Sequence, residues 1–352
     1  MSYKKEVALT YDDIQLIPSF SNIKSRKDIK LHTLVSRQYG LLNPLVASPM
    51  DTVCELDMAY KMAVYGGAGI IHRFMTIEEQ CKQVDMLVTK LVNNNTYNVW
   101  ASNGIANIPI IAAIGVGEEQ TNRAKRLVRA GANVLVIDVA HGHHQNVFDM
   151  IRWCKKNLPT EVDIIAGNVA TAEAAIDLET AGVDGIRINV GNGSLCTSRK
   201  KTGFGIPSVT CLEWIREVAT VPIMADGGIR NSGDIAKAMA LGASTVLIGS
   251  LLAGTDEAPG GIIETPNGLF KRYRGSASRD TKLAHGMDDR NVEGESTIVP
   301  YKGGVKYIIS DLLDGLRSAL SYGGANNLSE FFPKYIQVTN AGIIEASPHL
   351  LK

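Results

Sequence analysis

Residues 221–250 read "VPIMADGGIRNSGDIAKAMALGASTVLIGS" and contain two short apolar runs separated by a stretch with a helical pattern. The runs "VPIMADGG" (221–228) and "STVLIGS" (244–250) are nearly continuous in apolar residues, which is typical of strands buried on both faces of a parallel sheet. Between them, "SGDIAKAMALG" repeats apolar residues at helical spacing and ends in a glycine suited to a helix C-terminus. This stretch therefore predicts a strand–helix–strand unit with parallel strands.

The same unit recurs along the chain. Six further apolar runs precede it: "NPLVASPM" (43–50), "GAGIIHRF" (67–74), "IPIIAAIG" (108–115), "NVLVIDVA" (133–140), "DIIAGNV" (163–169) and "GIRINVG" (185–191). Amphipathic stretches of helical length separate most of these runs. Eight such units over about 250 residues predict a (β/α)₈ barrel rather than an open doubly wound sheet. We expect one domain over residues 1–352.

Bulk composition excludes several classes of protein. Of 352 residues 45% are hydrophobic, and 36 basic side chains balance 36 acidic ones, so no charge excess favours nucleic acid or a membrane surface. No apolar run approaches the roughly 18 residues that a membrane span needs. The five cysteines are an odd number and widely scattered, which predicts neither a zinc site nor a disulfide framework. We expect a cytoplasmic protein with reduced thiols.

Polar residues or glycines follow seven of the eight runs. A single such end is more simply read as an ordinary turn. Seven ends predict an active site, because the carboxyl ends of barrel strands meet on one face. The residues are Ser48 with Asp51, His72 with Arg73, Asp138 with His141, Asn168, Gly191 to Ser198, Asp226 to Gly228, and Gly249 with Ser250.

The loop 191–205, "GNGSLCTSRKKTGFG", carries a cysteine in polar surroundings. A cysteine is more often a small packing residue, and the other four of this chain are interpreted in that way. Cys196 differs because its neighbours are polar, because the loop leaves the end of a strand, and because Arg199, Lys200 and Lys201 are expected to lower the thiol pKa. We interpret Cys196 as a nucleophile.

Glycine-rich turns predict binding groups around this thiol. Gly191 and Gly193 permit positive φ, so their carbonyl oxygens can turn inward and coordinate a cation. The turns after runs seven and eight suit a phosphate held by backbone N–H groups, at Gly227, Gly228, Gly249 and Ser250. Asp226 would repel a phosphate and is better placed to accept hydrogen bonds from a ribose diol. Ordinary strand-to-helix turns remain the alternative reading.

Three segments lie outside the barrel pattern. Residues 88–107 are an Asn-rich connection between runs two and three. Residues 254–304 are rich in Gly, Asp and Arg without an apolar period, which is typical of a lid or a disordered loop. Residues 305–324 predict one amphipathic helix that closes the barrel.

Nine motifs in order resemble the inosine-monophosphate dehydrogenase and guanosine-monophosphate reductase family over about residues 8–325. They are "LTYDDIQLIPS", "ASPMDTV", "GAGIIHRF", "VIDVAHGH", "IAGNVAT", "GNGSLCTSRKKTGFG", "MADGGIR", "IGSLLAGTDEAPG" and "VPYKG". The resemblance implies a (β/α)₈ barrel, a homotetramer and covalent addition of the thiolate to C2 of a purine nucleotide. Dehydrogenases then pass a hydride to NAD and hydrolyse the adduct, whereas reductases expel ammonia from GMP and take a hydride from NADPH to give IMP.

Three features of the resemblance favour the reductase. Residues 88–107 are too short for the regulatory domain that most dehydrogenases insert there. The dehydrogenase lid has an Arg-Tyr pair that activates water, whereas here Asn291 follows Arg290. The segments "RKKTGFG" and "NVEGE" look like those of reductases. Against this, "ASPMDTV" and "AAIGVGEE" look more like those of dehydrogenases. IMP dehydrogenase without the insert stays an alternative, as does a catalytically silent nucleotide-binding regulator on the same barrel.

The resemblance also implies roles for individual residues. Ser198, which stands where the family usually has threonine, and Glu293 would relay a proton to the departing amine after Cys196 has added to GMP. The remaining implied groups are Tyr273 with Gly228, Gly249 and Ser250 for the phosphate; Met50, Arg290 and Gly294 for the base; Asp138, Asn168 and Arg73 for NADPH; and the carbonyls of Gly191, Gly193 and Cys196 for a monovalent cation, which we expect to be potassium. Serine lacks the methyl group that restricts χ1, so its relay would be less pre-organised.

Overall fold

The computed structural model describes residues 7–286, 288 and 290–345. Four short strands lie outside the main sheet. Strand β1 (Ile14–Leu16) pairs antiparallel with a strand at Tyr335–Gln337, near the other end of the described chain. Strands β2 (Thr33–Leu34) and β3 (Gly40–Leu41) pair antiparallel with each other. The pairing of β1 joins the two ends of the described chain beside the barrel.

Eight parallel strands close into a barrel, as the sequence predicts. They are β4 (Leu45–Ala47), β5 (Ala68–Ile71), β6 (Ile111–Ile114), β7 (Val134–Asp138), β8 (Asp163–Val169), β9 (Gly185–Ile188), β10 (Ile223–Asp226) and β11 (Thr245–Ile248). Each strand pairs with the next one along the chain, and β11 pairs with β4 to complete the circle. Nearly every strand residue is buried, because the barrel interior covers one face and the helices cover the other.

Helices connect the strands and pack around them. They are α1 (Leu56–Val64), α2 (Ile77–Asn93), α3 (Thr96–Ser102), α4 (Glu118–Arg129), α5 (Gln145–Asn157), α6 (Ala172–Ala181), α7 (Ser198–Thr202), α8 (Ser208–Arg216) and α9 (Ser232–Ala240). Local chemistry sets their ends: Thr76 and Glu79 form a capping box at the start of α2, and Gly182 ends α6 with φ 106°. In the described part of the chain, no helix is both long and apolar enough to cross a membrane.

The Asn-rich segment 88–107, which connects the second and third apolar runs of the sequence, is mostly helical. Helix α2 runs to Asn93 and α3 follows at once, with Trp100 buried and donating its indole N–H to the Ala63 carbonyl at 2.9 Å. Asparagine weakens helix propensity, but burial of the apolar face of these helices outweighs that preference.

The segment 254–304 contains an antiparallel sheet, which the sequence did not indicate. The sheet consists of β12 (Ile262–Thr265), β13 (Gly268–Arg274) and β14 (Ser296–Pro300), and helix α10 (Arg279–Ala284) lies between the last two strands. Its period-2 pattern is hidden because two buried positions of β13 are Lys271 and Tyr273 rather than aliphatic residues. Helix α11 (Val305–Gly323) follows and ends at Gly324 with φ 72°, as predicted for residues 305–324.

Candidate active site

A cavity of about 320 Å³ opens at the carboxyl ends of the barrel strands. Its wall is formed by the ends of six strands and by two further segments. We call residues 191–205 the catalytic loop and residues 254–304 the lid. Of the predicted site residues, the wall contains Met50, Arg73, Asp138, Asn168, Gly191, Gly193, Cys196, Ser198, Asp226, Tyr273, Glu293 and Gly294. The convergence of polar strand ends that the sequence predicts is therefore present.

Cys196, Ser198 and Glu293 form one hydrogen-bonded chain. The thiol of Cys196 donates to the Ser198 hydroxyl at 3.2 Å, and that hydroxyl donates to Glu293 Oε2 at 2.5 Å. Ser198 is buried, whereas Cys196 is exposed to the cavity. Glu293 lies 95 residues after Ser198 in the sequence, yet these contacts form a continuous hydrogen-bonded path from sulfur to carboxylate.

Backbone bridges bring Glu293 to the thiol. The Thr197 N–H donates to the Glu293 carbonyl at 2.9 Å, and the Glu295 N–H donates to the Leu195 carbonyl at 2.9 Å. Cys196 and Gly294 lie opposite one another in this short antiparallel pairing. The lid is thus hydrogen-bonded to the catalytic loop on both sides of the cysteine. These bonds hold the backbone of Glu293 next to the loop and so position its side chain.

A buried arginine joins two of the predicted ligand-binding carboxylates. Arg187, whose side chain is 9% exposed, donates to Asp138 Oδ1 at 2.5 Å and to Asp226 Oδ2 at 2.8 Å. Burial alone would lower the pKa of this guanidinium, but the two carboxylates outweigh burial and raise it, so Arg187 is always charged. Asn168 also donates to Asp226 Oδ2 at 2.8 Å. The bonds that Arg187 and Asn168 make to the Asp226 carboxylate all end on Oδ2.

Sequence reasoning missed Arg187, Asn189 and Ser194. A charged residue inside the apolar run "GIRINVG" was an available signal for Arg187, because a cation in a buried strand requires partners. Asn189 has φ 85°, and its side-chain amide N–H donates to the backbone carbonyl of Asp226 at 2.9 Å. No local sequence pattern predicts this contact. Ser194 lies 3.0 Å from the Tyr273 hydroxyl across the cavity wall.

Tyr273 is the predicted phosphate ligand that faces the cavity. Burial, together with the charge of Asp226, raises the pKa of its phenol although Ser194 acts in the other direction. The hydroxyl therefore stays protonated and can donate a hydrogen bond to an anion.

Four predicted phosphate residues and one predicted base contact do not line the cavity. Gly227 packs against the backbone of Asn192 and Gly193, and Gly228 lies against Tyr11 and Ser208. Gly249 lies beside Met50 and Tyr273, and the Ser250 carbonyl accepts from Lys302. The Arg290 side chain is 83% exposed and paired with Asp288, so the structure does not bring this arginine to the thiol.

Arg73 presents a partly buried cation on the side of the cavity next to Asp138. Its guanidinium stacks over the Phe74 ring at 5.0 Å and reaches to 4.0 Å from Asp138 Oδ2. Its Nε is buried without a hydrogen-bond partner among the described residues. Its side chain is 28% exposed and lines the cavity, so it presents a positive charge to any anionic group bound there.

The loop carbonyls expected to bind a cation are partly engaged by the loop itself. The Gly193 carbonyl accepts from the Cys196 N–H at 3.0 Å, which uses one of its two lone pairs. Arg199 donates to the carbonyl of Ile206 and the side chain of Asn192, both at 2.8 Å, and so braces the loop. Gly191 adopts φ 81°, whereas Gly193 does not have a positive φ. The carbonyl oxygens of Gly191, Gly193 and Cys196 stay candidate ligands for a monovalent cation.

Comparisons with known proteins identify what this arrangement is similar to. Residues 8–349 match the family model described as "IMP dehydrogenase / GMP reductase domain". The chain is 37% identical to inosine-5'-monophosphate dehydrogenase of Cryptosporidium parvum, over 97% of this chain and 94% of that protein. It is 34% identical to GMP reductase of Leishmania donovani, over 97% and 96% of the two chains.

A solved structure shares the whole fold. The crystal structure of a cysteine-to-alanine variant of GMP reductase from Trypanosoma brucei, in complex with guanosine 5'-monophosphate, superposes with a TM-score of 0.91 at 31% identity. The match covers 99% of both chains.

The missing insert does not separate the two activities, which corrects one expectation. The Leishmania reductase aligns over 474 residues although this chain has 352, so that reductase carries segments that this chain lacks. The Cryptosporidium dehydrogenase aligns over only 385 residues. A short connection between the second and third barrel strands is therefore compatible with either enzyme.

Proposed function

Because the chain belongs to the IMP dehydrogenase / GMP reductase family of oxidoreductases, we propose that it is a GMP reductase that converts GMP, with NADPH, to IMP and ammonia. The hydrogen-bonded chain from Cys196 through Ser198 to Glu293 carries this proposal. It places a carboxyl group where it can serve the amine of a nucleotide bound at the thiol. The exposure of Arg290, followed by Asn291 instead of tyrosine, argues against a water-activating pair.

The relay serves the amine step of the proposed reaction. The exposed Cys196 thiol loses its proton to solvent, and the thiolate adds to C2 of GMP. Glu293, protonated from solvent, then passes its proton through Ser198 to the 2-amino group, which leaves as ammonia and yields a thioimidate. Transfer of a hydride to C2 and departure of the thiolate give IMP.

The substrate would be held by groups away from the sulfur. Asp226 would accept hydrogen bonds from the ribose hydroxyls, and Tyr273 with Ser194 would donate to the phosphate. Because none of these contacts requires the thiol, nucleotide binding and covalent chemistry can be separated by mutation.

NADPH would supply the hydride when bound. Asp138 and Asn168 lie on the cavity wall with Arg73, whose partly exposed guanidinium would pair with a phosphate of the cofactor. One arginine can pair with the pyrophosphate or with a 2′-phosphate, so comparison of NADPH with NADH belongs in the same assay.

The alternative is IMP dehydrogenase, which the 37% identity to the Cryptosporidium enzyme favours. Anaerobic incubation of GMP with NADPH, beside IMP with NAD, distinguishes the two. We expect oxidation of NADPH with equal amounts of IMP and ammonia in the first reaction. Sustained formation of XMP from IMP and NAD, without ammonia from GMP and NADPH, would reject the proposal that this enzyme is a reductase.

A further inference from the structure

Asp51 lies beside the cavity and holds the lid to the barrel. It follows Met50 in the segment between β4 and α1, and its side chain is only 3% exposed. Its Oδ2 accepts hydrogen bonds from Arg274 Nε at 3.0 Å, from Arg274 Nη2 at 2.6 Å and from His285 Nε2 at 2.8 Å. A buried carboxylate with these donors is an anchor rather than a solvated surface charge.

Both donor residues belong to the lid. Arg274 is the last residue of β13, and its backbone N–H also donates to the Thr52 hydroxyl at 3.2 Å. His285 follows α10, and its ring lies 6.1 Å from the ring of Phe74 on the cavity wall. One barrel carboxylate therefore fixes the lid at two points, before and after α10.

A short backbone path connects these two points to Glu293. The Gly275 N–H donates to the Glu295 carbonyl at 2.9 Å, and the Glu293 N–H donates to the Ala277 carbonyl at 3.1 Å. From within α10, Lys282 donates to the Asn291 carbonyl at 3.1 Å. A shift of the segment 274–285 must therefore shift Glu293 relative to Ser198.

We propose that Asp51 is a positioning residue for the amine-release step, because it docks the lid where Glu293 meets Ser198. The activity part of this inference rests on the proposed GMP reductase function. Asp51 acts through Glu293, so it serves the step that needs the carboxyl proton and not the hydride step at Cys196.

An Asp51→Asn variant tests this role through the two half-reactions. We expect ammonia release from GMP to fall at least about tenfold, since a misplaced acid loses much of a contribution that is typically 10²–10⁴-fold. The burst of reduced cofactor from IMP and NADP should stay within twofold of wild type. The matched control is Asp288→Asn, a lid aspartate that also pairs with an arginine but is 54% exposed, and it should leave both half-reactions unchanged. Equal loss of both half-reactions in Asp51→Asn would mean a merely structural role and overturn the proposal.

Limited proteolysis tests lid docking without any substrate. Trypsin cleaves after Lys282 and Arg290 in the lid, and we expect Asp51→Asn to be cut there about ten times faster than wild type and Asp288→Asn. Unchanged cleavage in a folded Asp51→Asn protein overturns the docking proposal, whatever the enzyme's activity. A wild-type protein that releases no ammonia overturns the proposed function instead and leaves this measurement in force. If Asp51→Asn does not fold, His285→Gln removes one of the two anchored points and carries the same test.

Discussion

Cys196 is exposed, whereas the other four cysteines of this chain are buried or half-buried. Burial raises the pKa of Cys154 and of Cys211 to about 12 and raises that of Cys54 further, so these thiols stay protonated at pH 8. We therefore predict that iodoacetamide at pH 8 modifies Cys196 alone, and that GMP or IMP blocks the reaction. Peptide mapping by mass spectrometry checks it. Slow, equal labelling at several cysteines would instead favour a catalytically silent nucleotide binder.

Cys196→Ala should separate binding from chemistry. The expected phosphate and ribose ligands lie on other residues, so nucleotide affinity measured by calorimetry should stay within a few-fold of wild type. Turnover should vanish, because a lost nucleophile removes many orders of magnitude in rate. Retention of more than about a tenth of the wild-type rate would be incompatible with covalent catalysis.

In the proposed reaction Ser198 carries the proton between Glu293 and the departing amine, so its hydroxyl should matter more than its size. Ser198→Ala breaks both hydrogen bonds and should lower kcat by about 10²–10⁴-fold. Ser198→Thr keeps the hydroxyl and restricts χ1, so its kcat should match or exceed that of wild type. Steady-state rates of the two variants check the relay, and equal rates for both would show that the hydroxyl is not used.

The sequence predicts the site residues at strand ends correctly, but it does not predict residues whose position depends on contacts with distant parts of the chain. Cys196, Asp138, Asn168 and Asp226 follow apolar runs, and the barrel brings them together. Arg290 was placed near the base by resemblance, but its ion pair with Asp288 keeps it in solvent. No local pattern could show which lid residue would bridge to the catalytic loop.

At the scale of elements, the turn after β10 supports the catalytic loop through a contact that only glycine permits. Gly227 has φ 84°, and a Cβ there would lie 2.7 Å from the carbonyl carbon of Asn192. Gly227→Ala should displace the loop and weaken nucleotide binding at least tenfold. Gly260→Ala is the control, because Gly260 has φ 90° with nothing within 4 Å of a Cβ, so only strain of about 1–3 kcal/mol applies. Equal affinities for the two variants would show that the loop contact is unimportant.

The lid is the element that sequence patterns described least well. Its strands lie on the surface with buried positions at Lys271 and Tyr273, so neither an apolar run nor a clear alternation marks them. The barrel strands were recognisable because burial on both faces makes them continuously apolar. That difference in burial explains why the barrel was predicted and the lid sheet was not.

At the scale of the whole molecule, the family resemblance predicts a homotetramer. Light scattering of the purified protein should give about four times the 37.9 kDa chain mass. In the single chain the large side chains of Phe20 and Tyr307 are 91% and 79% exposed. A monomeric mass at micromolar concentration would reject this expectation.

A monovalent cation should link the loop conformation to activity. With Gly191, Gly193 and Cys196 as carbonyl ligands, we predict at least tenfold higher activity in potassium chloride than in lithium chloride at equal ionic strength. Equal ionic strength controls for general screening of charges. Identical rates in the two salts would contradict the prediction that a bound monovalent cation supports activity.

The central claim is that Glu293 serves the release of the amine, and Glu293→Gln tests it most directly. Ammonia release from GMP should fall by about 10²–10⁴-fold or more, because the proton donor is lost. The same variant, mixed rapidly with IMP and NADP, should still produce a burst of up to about one equivalent of NADPH per site, since that half-reaction uses Cys196 and the cofactor alone. Loss of the burst together with ammonia release, or ammonia release at the wild-type rate, would contradict the account.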